Sequence, residues 1–565
     1  MSTGRKRSRA ASLADTPARN TRRRDSTGPN HTPSFNTTGT SGNATVNNFN
    51  GAVSIHLNSD RDKEVKWLAA PDSSNNYHAA LEKHHTQTGS WLFDKRQFRN
   101  WKKYPSYILW LCGASGCGKT VICAAAIAII EMHCKYHTGP SASAYAYFFF
   151  DSRSGENDLS SHDGLIRSLI LQLTEQGGKL PAFMPKNPSL VNLQDALLRI
   201  VDGFFSDVYI IIDALDECSA AQRPKLLAWI KNISHWGGNK LHILLSSRQE
   251  RDIEDHLLSK VRDLDAVYFA HHLSNVSNDI GAFVDQQILD IPDWDEDTRK
   301  LIKGVLMKRA DGMFRLVAMQ IEELLRCRTR KALKKQLHSL PTGLEQMYEI
   351  TLSRSPFPEQ LKQLLLWLIF AARPIKLEEL AEVAAIDHQQ QEGPRYDPDL
   401  RYLSSRDVLT VCSGLVTEFQ GIIKLSHITV KEYLISERLS SGAAAYFIIN
   451  AELSQSSIAQ TCLAYLLHLG TFKSLTTDTI EAFPLAKYAA EHWTSHVKEC
   501  INVDVDLQSM LSDFFLSTNY SFNNWVRLHD INDRSWKQSK THLQKPPIEI
   551  PSPLYYASLL GLCGT

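Results

Sequence analysis

Apolar runs and helical patterns alternate along residues 107–270. The apolar runs cover residues 107–112, 145–150, 208–213, 241–248 and 266–270. A continuous apolar run that ends in polar residues is typical of a strand buried on both faces of a sheet. Strands that alternate with helices in this way connect in parallel. The pattern therefore predicts an α/β fold built on a doubly wound parallel sheet.

Helical patterns dominate the rest of the chain. Patterns at 361–372 and 376–385 precede an apolar segment at 408–416, a strand pattern at 421–425 and a short segment at 426–434. Further patterns at 459–469 and 485–497 predict helical hairpins. The part of the chain that follows the sheet is therefore predicted to be mainly α-helical.

Composition gives broader bounds. The chain has 565 residues, of which 43% are hydrophobic, and a formal net charge of +1, so it can bury several cores and gives no global reason to expect a nucleic-acid partner. Its ten cysteines include no C-x-x-C pair, which predicts reduced thiols and a cytoplasmic protein. The longest apolar runs, near 121–130 and 364–372, are too short to span a bilayer.

The first predicted strand leads directly into a phosphate loop of the form G-x-x-x-x-G-K-T. Its glycines allow a tight turn whose backbone N–H groups wrap a phosphate, Lys119 neutralises the phosphate oxygens, and the hydroxyl of Thr120 ligates Mg²⁺. We therefore predict a nucleotide site that contains Gly113, Ala114, Ser115, Gly116, Cys117, Gly118, Lys119 and Thr120. The side chain of Cys117 is interpreted as loop filler, and the alternative is an oxidisable thiol.

Acidic residues at the end of the third strand supply the other half of the site. Asp213 is the predicted Mg²⁺ acid, because ligands collect at the carboxyl ends of parallel strands. Asp216 and Glu217 lie just beyond it, where a carboxylate can orient or deprotonate an attacking water. The alternative is that these two acids cap the next helix. Arg248 ends the fourth strand and is predicted to sense the γ-phosphate, the alternative being a solvated arginine.

Several of these residues together resemble a known family. The small residue Ala214, the pair Asp216 and Glu217, and the strand end at 246–248 are similar to the NACHT class of signal-transducing P-loop ATPases. The resemblance is closest to fungal NOD-like receptors of the NACHT and ankyrin type. Segments 88–93, 310–315 and 340–348 resemble the regions that flank the sheet in that family. The resemblance extends over residues 67–433 and beyond.

The resemblance implies both a mechanism and a site. Such proteins carry a winged helix after the nucleotide domain, and its histidine, here His427, contacts the β-phosphate of ADP and holds a closed state. ATP and Mg²⁺ then favour an open form that assembles into a homo-oligomer, and slow hydrolysis resets the switch. The implied setting is fungal innate immunity, heterokaryon incompatibility or programmed cell death. The alternative for His427 is a side chain that is satisfied by local helix contacts.

Together these features predict six regions. They are a disordered basic and polar tail (1–65), a NACHT nucleotide-binding domain (66–272), a helical domain (273–355), a winged-helix domain (356–445), a helical linker domain (446–550) and the start of an ankyrin-like repeat (551–565). The last region approximates the ankyrin T-P-L-H-x-A pattern. The chain is either naturally short there or a fragment of a longer product.

The tail carries two further patterns. Basic clusters at 5–9 and 22–24 resemble a bipartite nuclear import signal, and the alternatives are binding to anionic surfaces or no role. The uncharged, alternating segment 44–57 is a candidate β-assembly motif through which an effector protein is engaged, the alternative being a simple linker.

Two other functions compete with the switch. A conventional P-loop ATPase or kinase needs an acceptor or motor motif, and the sequence offers neither. A winged-helix regulator that binds nucleic acid needs several cations on its recognition helix, whereas residues 426–433 contain few. We therefore expect nucleic acid not to be a partner.

Overall fold

The chain divides into two units, Met1–Ser59 and Asp60–Thr565. All the helices and strands given below belong to the second unit. A computed structural model describes residues 67–561 except for 86–87, 137–141, 154–156, 178, 181–184, 186, 235–239, 261–263, 290, 292–293, 391–392, 503, 517–519, 533–542, 544–545 and 547–548. The predicted tail, with its basic clusters and the segment 44–57, lies outside the described residues.

Five parallel strands form the central sheet. They are Ile108–Cys112 (β1), Ala144–Phe149 (β2), Val208–Asp213 (β3), Leu241–Ser247 (β4) and Leu264–Tyr268 (β5). The strand order is β2-β3-β4-β1-β5, with Trp110 opposite Leu245 and Ile211 opposite Leu244. The predicted doubly wound parallel sheet is confirmed. The fifth strand ends two residues before the predicted end, because residues 269–272 form a 3-10 turn.

Both faces of the sheet are covered, which explains the continuous apolar runs. In β3, Ile210 and Ile212 point into one core while Tyr209 and Ile211 point into the other. Such a strand has no solvated face and needs apolar residues at every position. The carboxyl end of β3 therefore leaves Asp213 at the edge of two dry cores.

Helices pack on both sides of this sheet. Several begin at a side-chain cap, such as Ser161, whose hydroxyl accepts the N–H of Gly164, and Ser189, which forms a capping box with Asn192. The helices are Ser74–Glu82 (α1), Ser90–Phe93 (α2), Arg96–Lys103 (α3), Lys119–Tyr136 (α4), His162–Glu175 (α5), Leu190–Phe204 (α6), Arg223–Ser234 (α7) and Arg251–Lys260 (α8).

The chain then becomes helical, with one small antiparallel sheet. The helices are Leu273–Leu289 (α9), Glu296–Arg309 (α10), Phe314–Leu325 (α11), Arg330–Ser339 (α12), Leu344–Ser353 (α13), Pro358–Phe370 (α14), Leu377–Val383 (α15), Asp407–Val411 (α16) and Ile428–Leu434 (α17). The small sheet has the order β6-β10-β9, with Ile375–Lys376 (β6), Val416–Phe419 (β9) and Ile422–Leu425 (β10). A hairpin pairs Ile386–Asp387 (β7) with Arg395–Tyr396 (β8). This helical and winged-helix architecture is the predicted one.

A helical region closes the described chain. Its helices are Ala451–Leu469 (α18), Thr477–Ala482 (α19), Ala486–Lys498 (α20), Val505–Leu516 (α21), Ser521–Leu528 (α22) and Pro553–Leu560 (α23). Tyr556 of α23 is fully buried against Phe522 and Trp525. This helix packs on the region before it, and its identity as the start of an ankyrin-like repeat stays a prediction. No described helix is long and apolar enough to cross a bilayer.

Candidate nucleotide site

The loop between β1 and α4 has the backbone that a phosphate cradle needs. Gly116 and Gly118 have φ angles of 77° and 96°, which side chains with a Cβ rarely adopt. A methyl group on Gly113 would lie 2.8 Å from Sγ of Cys117 and 3.0 Å from Cβ of Phe269. Glycine is therefore required at all three positions, and the loop leaves its N–H groups for a phosphate at the start of α4.

Two side chains of the loop, those of Lys119 and Cys117, pack against the loop itself. Nζ of Lys119 donates hydrogen bonds to the carbonyl oxygens of Gly113 (2.7 Å) and Ala114 (2.9 Å), so the ammonium group folds over its own loop. Cys117 is 5% exposed, and burial raises the pKa of its thiol. A buried thiol with a raised pKa is a poor nucleophile. These properties favour the interpretation of Cys117 as loop filler.

The predicted metal ligands lie together. The hydroxyl of Thr120 is hydrogen-bonded to Asp213, whose carboxylate is 2% exposed and whose pKa is raised by burial. Oxygen ligands of this kind suit Mg²⁺. Ser246 also donates to Oδ1 of Asp213 (2.5 Å), and its Oγ accepts the N–H of Ala214 (3.1 Å), a residue with a φ of 55°. This role of Ser246 was not predicted, although its place at the polar end of the apolar run 241–248 was a usable signal.

Asp216 and Glu217 lie in a 3-10 turn, Leu215–Glu217. Oδ1 and Oδ2 of Asp216 contact the backbone N–H and Nε of Arg248 at 3.0 and 3.1 Å. Oε2 of Glu217 accepts hydrogen bonds from N–H (2.9 Å) and Oγ (3.2 Å) of Ser152. Burial and the charge of Asp151 raise the pKa of Glu217 to about 7. A carboxyl group with such a pKa can exchange a proton near neutral pH.

Arg248 lies between two carboxylates. Besides Asp216, its guanidinium contacts Glu432 of α17, with Nη1 to Oε2 at 3.1 Å and Nη2 to Oε1 at 2.9 Å. Burial lowers the pKa of Arg248, but these two acids more than compensate, and the net shift is upward. The structure therefore joins the predicted sensor to the winged helix. No sequence pattern marks the partner Glu432, which is 184 residues away.

His427 is the N-cap of α17. Its Nδ1 accepts the backbone N–H of Thr429 at 3.2 Å, so the neutral ring carries its proton on Nε2. Burial, and then the charges of Arg153, Arg315, Arg248 and Lys119, lower the pKa of His427 to about 3. One ring nitrogen is thus satisfied locally, as the alternative interpretation expected. The other is an N–H donor in a strongly cationic region.

A second set of contacts joins the end of β2 to the winged helix. The buried carboxylate of Asp151 pairs with Arg153 (2.7 Å) and with Lys424 of β10 (3.2 Å). Burial favours the neutral acid, but the two cations hold the pKa of Asp151 well below its usual range. Nζ of Lys431 in α17 donates to the carbonyl oxygen of Ser152 (2.7 Å). These residues were not predicted, although Asp151 directly follows the predicted strand at 145–150.

Two protein-family models match the chain. Residues 87–248 match the family described as Nephrocystin 3, N-terminal, and residues 348–449 match the winged helix domain of GPI inositol-deacylase. The first contains the phosphate loop, the acids after β3 and Arg248. The second contains the small antiparallel sheet and His427.

Two fungal proteins are similar in sequence. Azaphilone pigments biosynthesis cluster protein L of Monascus ruber is 32% identical over 269 residues, which are 46% of this chain and 56% of that protein. Vegetative incompatibility protein HET-E-1 of Podospora anserina is 23% identical over 453 residues, which are 73% of this chain and 32% of that protein. The chain thus spans about half of the first relative and a third of the second.

Among solved structures, the ORC1 protein of Aeropyrum pernix in complex with DNA is similar, with a TM-score of 0.31 and 14% identity over 66% of this chain and 96% of that chain. CDC6P from Pyrobaculum aerophilum has a TM-score of 0.30 and 14% identity over 64% of this chain and 97% of that chain. Similarity at these scores carries no conclusion about function.

The parallel sheet, the phosphate loop and the acid at the end of β3 define a P-loop NTPase, a class that binds nucleotides and typically uses Mg²⁺. Within that class, the two family models and the two fungal relatives together fit a fungal NACHT-type protein similar to NOD-like receptors. The family resemblance in the sequence is confirmed.

Proposed function

We propose that this protein is a nucleotide-operated signalling switch of the NACHT type, closed with ADP and open and oligomerising with ATP. In this proposal Thr120 and Asp213 hold Mg²⁺, and Gly113–Thr120 together with His427 hold the nucleotide. Asp216 and Glu217 direct the attacking water, and Arg248 stabilises the transferred phosphate. Hydrolysis is slow and resets the switch, so no metabolite is made.

The observation that carries the proposal is the convergence of three parts of the chain on the phosphate loop. Lys119 belongs to the loop itself, Arg315 of helix α11 lies against Gly116 of the loop, and Arg315 also donates a hydrogen bond to Ser426 (2.6 Å), which directly precedes His427 of the winged helix. A site to which several parts of the chain contribute can couple its ligand to their arrangement. A ligand shifts such an equilibrium only through its different affinities for the two states.

The contacts between the sheet and the winged helix supply a closed state. We call the three pairs Asp151 with Lys424, Ser152 with Lys431, and Arg248 with Glu432 the latch. Each pair joins the carboxyl end of β2 or β4 to β10 or α17.

The latch also engages the proposed catalytic groups. Arg248 is held by Glu432, and the Ser152 backbone that receives Lys431 is also bonded to Glu217. Release of the winged helix therefore changes the surroundings of Arg248 and Glu217 in the same step. This coupling favours a switch over a continuously cycling ATPase or kinase.

The same contacts weigh against a nucleic-acid regulator. Lys431 and Glu432 are the charged residues of helix α17, and both are engaged with the sheet domain. A helix that reads base edges presents its charged side chains to the groove instead. We therefore propose that α17 acts as an internal contact.

The relatives support a proposal about the biological setting. HET-E-1 is named a vegetative incompatibility protein, and the chain is similar to it over 453 residues. We propose that the switch acts in heterokaryon incompatibility or a related form of fungal immunity or programmed cell death, in the cytoplasm. Its proposed partners are further copies of itself and an effector protein engaged by the N-terminal tail.

The deciding experiment measures the solution mass of the purified protein by light scattering, first with Mg-ADP and then with a slowly hydrolysed ATP analogue. We expect a monomer with ADP and a larger species with the analogue. Lys119→Ala should remain a monomer in both, because it removes the cation that neutralises the phosphates.

Asp216→Asn provides the matched variant. It should bind nucleotide and assemble but hydrolyse ATP more slowly, since only the carboxylate that positions Arg248 is changed. A monomer in both nucleotides with rapid turnover would instead indicate a conventional ATPase. Normal binding and turnover in both variants would overturn the site assignment.

A further inference from the structure

Helix α11 covers the phosphate loop. A methyl group on Gly116 would lie 3.1 Å from Cβ of Arg315, and one on Gly118 would lie 3.4 Å from the ring of Phe314. Both residues are in the first turn of α11, which starts at Phe314. The backbone of Arg315 therefore lies against the turn that cradles a phosphate.

The guanidinium of Arg315 has weak partners for its position. Nη2 donates to the carbonyl oxygen of Gly414 (2.8 Å) and to Oγ of Ser426 (2.6 Å), both of which belong to the winged-helix region and are uncharged. Nε is buried and has no hydrogen-bond partner among the described residues. A guanidinium is best satisfied by an anion that accepts two parallel hydrogen bonds.

Several cations lie near the phosphate loop beside Arg315. After burial, the charges of Arg153 and Arg315 contribute most to lowering the pKa of His427. Arg153 is paired with Asp151, whereas Arg315 contacts the uncharged acceptors above and interacts with the charge of Glu322, on its own helix, only at longer range. An anion beside the loop would relieve this repulsion.

We propose that Arg315 binds the terminal phosphate of a nucleoside triphosphate and, in doing so, releases Gly414 and Ser426. This inference rests on the proposed function and deepens it, because it identifies the group that distinguishes ATP from ADP. Each hydrogen bond that Arg315 transfers to phosphate is one that the closed winged helix loses. The terminal phosphate thereby acts on the domain arrangement directly.

Arg248 is less suited to this first recognition step. It already contacts the carboxylates of Asp216 and Glu432, so a phosphate must displace charged acceptors. Arg315 gives up only a carbonyl and a hydroxyl acceptor. Hydrogen bonds to such uncharged acceptors are about half as strong as hydrogen bonds to carboxylates. A phosphate that binds Arg315 therefore gains more net binding free energy than one that must displace the carboxylates from Arg248. Arg248 becomes accessible to it only after the latch has opened.

The test compares the affinities of Mg-ADP and of the triphosphate analogue AMP-PNP for the full chain by titration calorimetry. Arg315→Gln should weaken AMP-PNP binding at least about tenfold and ADP binding by less than about threefold. Ser426→Ala removes a winged-helix acceptor and leaves the arginine, so it should strengthen AMP-PNP binding relative to ADP by about two- to fivefold. The two variants thus move the affinity ratio in opposite directions.

Two controls separate the possible failures. Arg326→Gln changes an arginine at the other end of α11, paired with Glu323, and should leave both affinities unchanged. Lys119→Ala should abolish binding of both nucleotides, and if it does not, the proposed function itself fails. Suppose that Lys119→Ala abolishes binding, but Arg315→Gln either weakens the binding of ADP and AMP-PNP equally or changes neither affinity. Arg315 then has only a structural role, and this inference is overturned.

Discussion

Glu432→Gln tests whether the latch holds the closed state. The substitution removes the charge that contacts Arg248 through two nitrogen–oxygen pairs at 3.1 and 2.9 Å. The Glu432 side chain is 47% exposed, so water screens the pair, and its bidentate geometry puts the expected loss near the upper end of exposed ion pairs, about 0.5–1 kcal/mol. Arg248 keeps Asp216, so no buried charge is left unpaired.

That loss corresponds to about a two- to fivefold shift of the equilibrium towards the open form. We expect a fluorescent ADP analogue to dissociate about two- to fivefold faster from Glu432→Gln than from wild type, as measured by stopped-flow displacement with excess ADP. Because the pair is half exposed, the difference should shrink as the salt concentration is raised to about 0.5 M.

Glu437→Gln is the matched control. Glu437 is an exposed carboxylate five residues further along the chain and outside the latch, so its removal should leave the dissociation rate unchanged. Equal rates for Glu432→Gln and wild type, or an acceleration that persists at high salt, would refute the reasoning. The same acceleration in Glu437→Gln would show that the effect comes from net charge rather than from the latch.

Three further predictions concern stability, each measured by urea unfolding followed by circular dichroism. Gly304→Ala should raise the free energy of unfolding by about 0.5–1 kcal/mol, because Gly304 lies within helix α10 and a methyl group there would contact nothing within 4 Å. A decrease in the free energy of unfolding would contradict the helical conformation of Gly304. Asp151→Asn leaves Arg153 and Lys424 without their buried carboxylate and should lower the free energy of unfolding by about 3 kcal/mol or more. A decrease of less than about 1 kcal/mol would contradict a buried ion pair at this position. Burial lowers the pKa of His496 to about 3, so below pH 6.5 only the unfolded chain takes up this proton. Acidification from pH 7 to pH 5 should therefore cost about 2 kcal/mol at this site, and His496→Gln should lose that part of the pH dependence.

Features that depend only on neighbouring residues could be predicted from the amino-acid sequence. The strands of the sheet could be predicted because a strand buried on both faces must be apolar at each position, as β3 is. The phosphate loop could be predicted because its turn needs positive φ angles, and Gly116 and Gly118 have them. Asp213 could be singled out as a candidate ligand because it stands at the end of the apolar run that forms β3. These requirements act within a few residues, so they are visible in the order of the amino acids.

The side chains that surround that loop could not be predicted in this way, because they come from distant parts of the chain. Arg248 meets Glu432 across 184 residues, Asp151 meets Lys424 across 273, and Arg315 lies against Gly116 from a separate helix. No local pattern marks these partners, because an arginine or a glutamate at a helix start or strand end is equally compatible with solvent. These charged side chains meet their partners only when the sheet domain, helix α11 and the winged helix pack together. That packing removes water from the charges, and an unpaired charge that has lost its water is costly. A phosphate loop can therefore be predicted from the order of the amino acids, whereas the side chains that lie beside it depend on the packing of helix α11 and the winged helix.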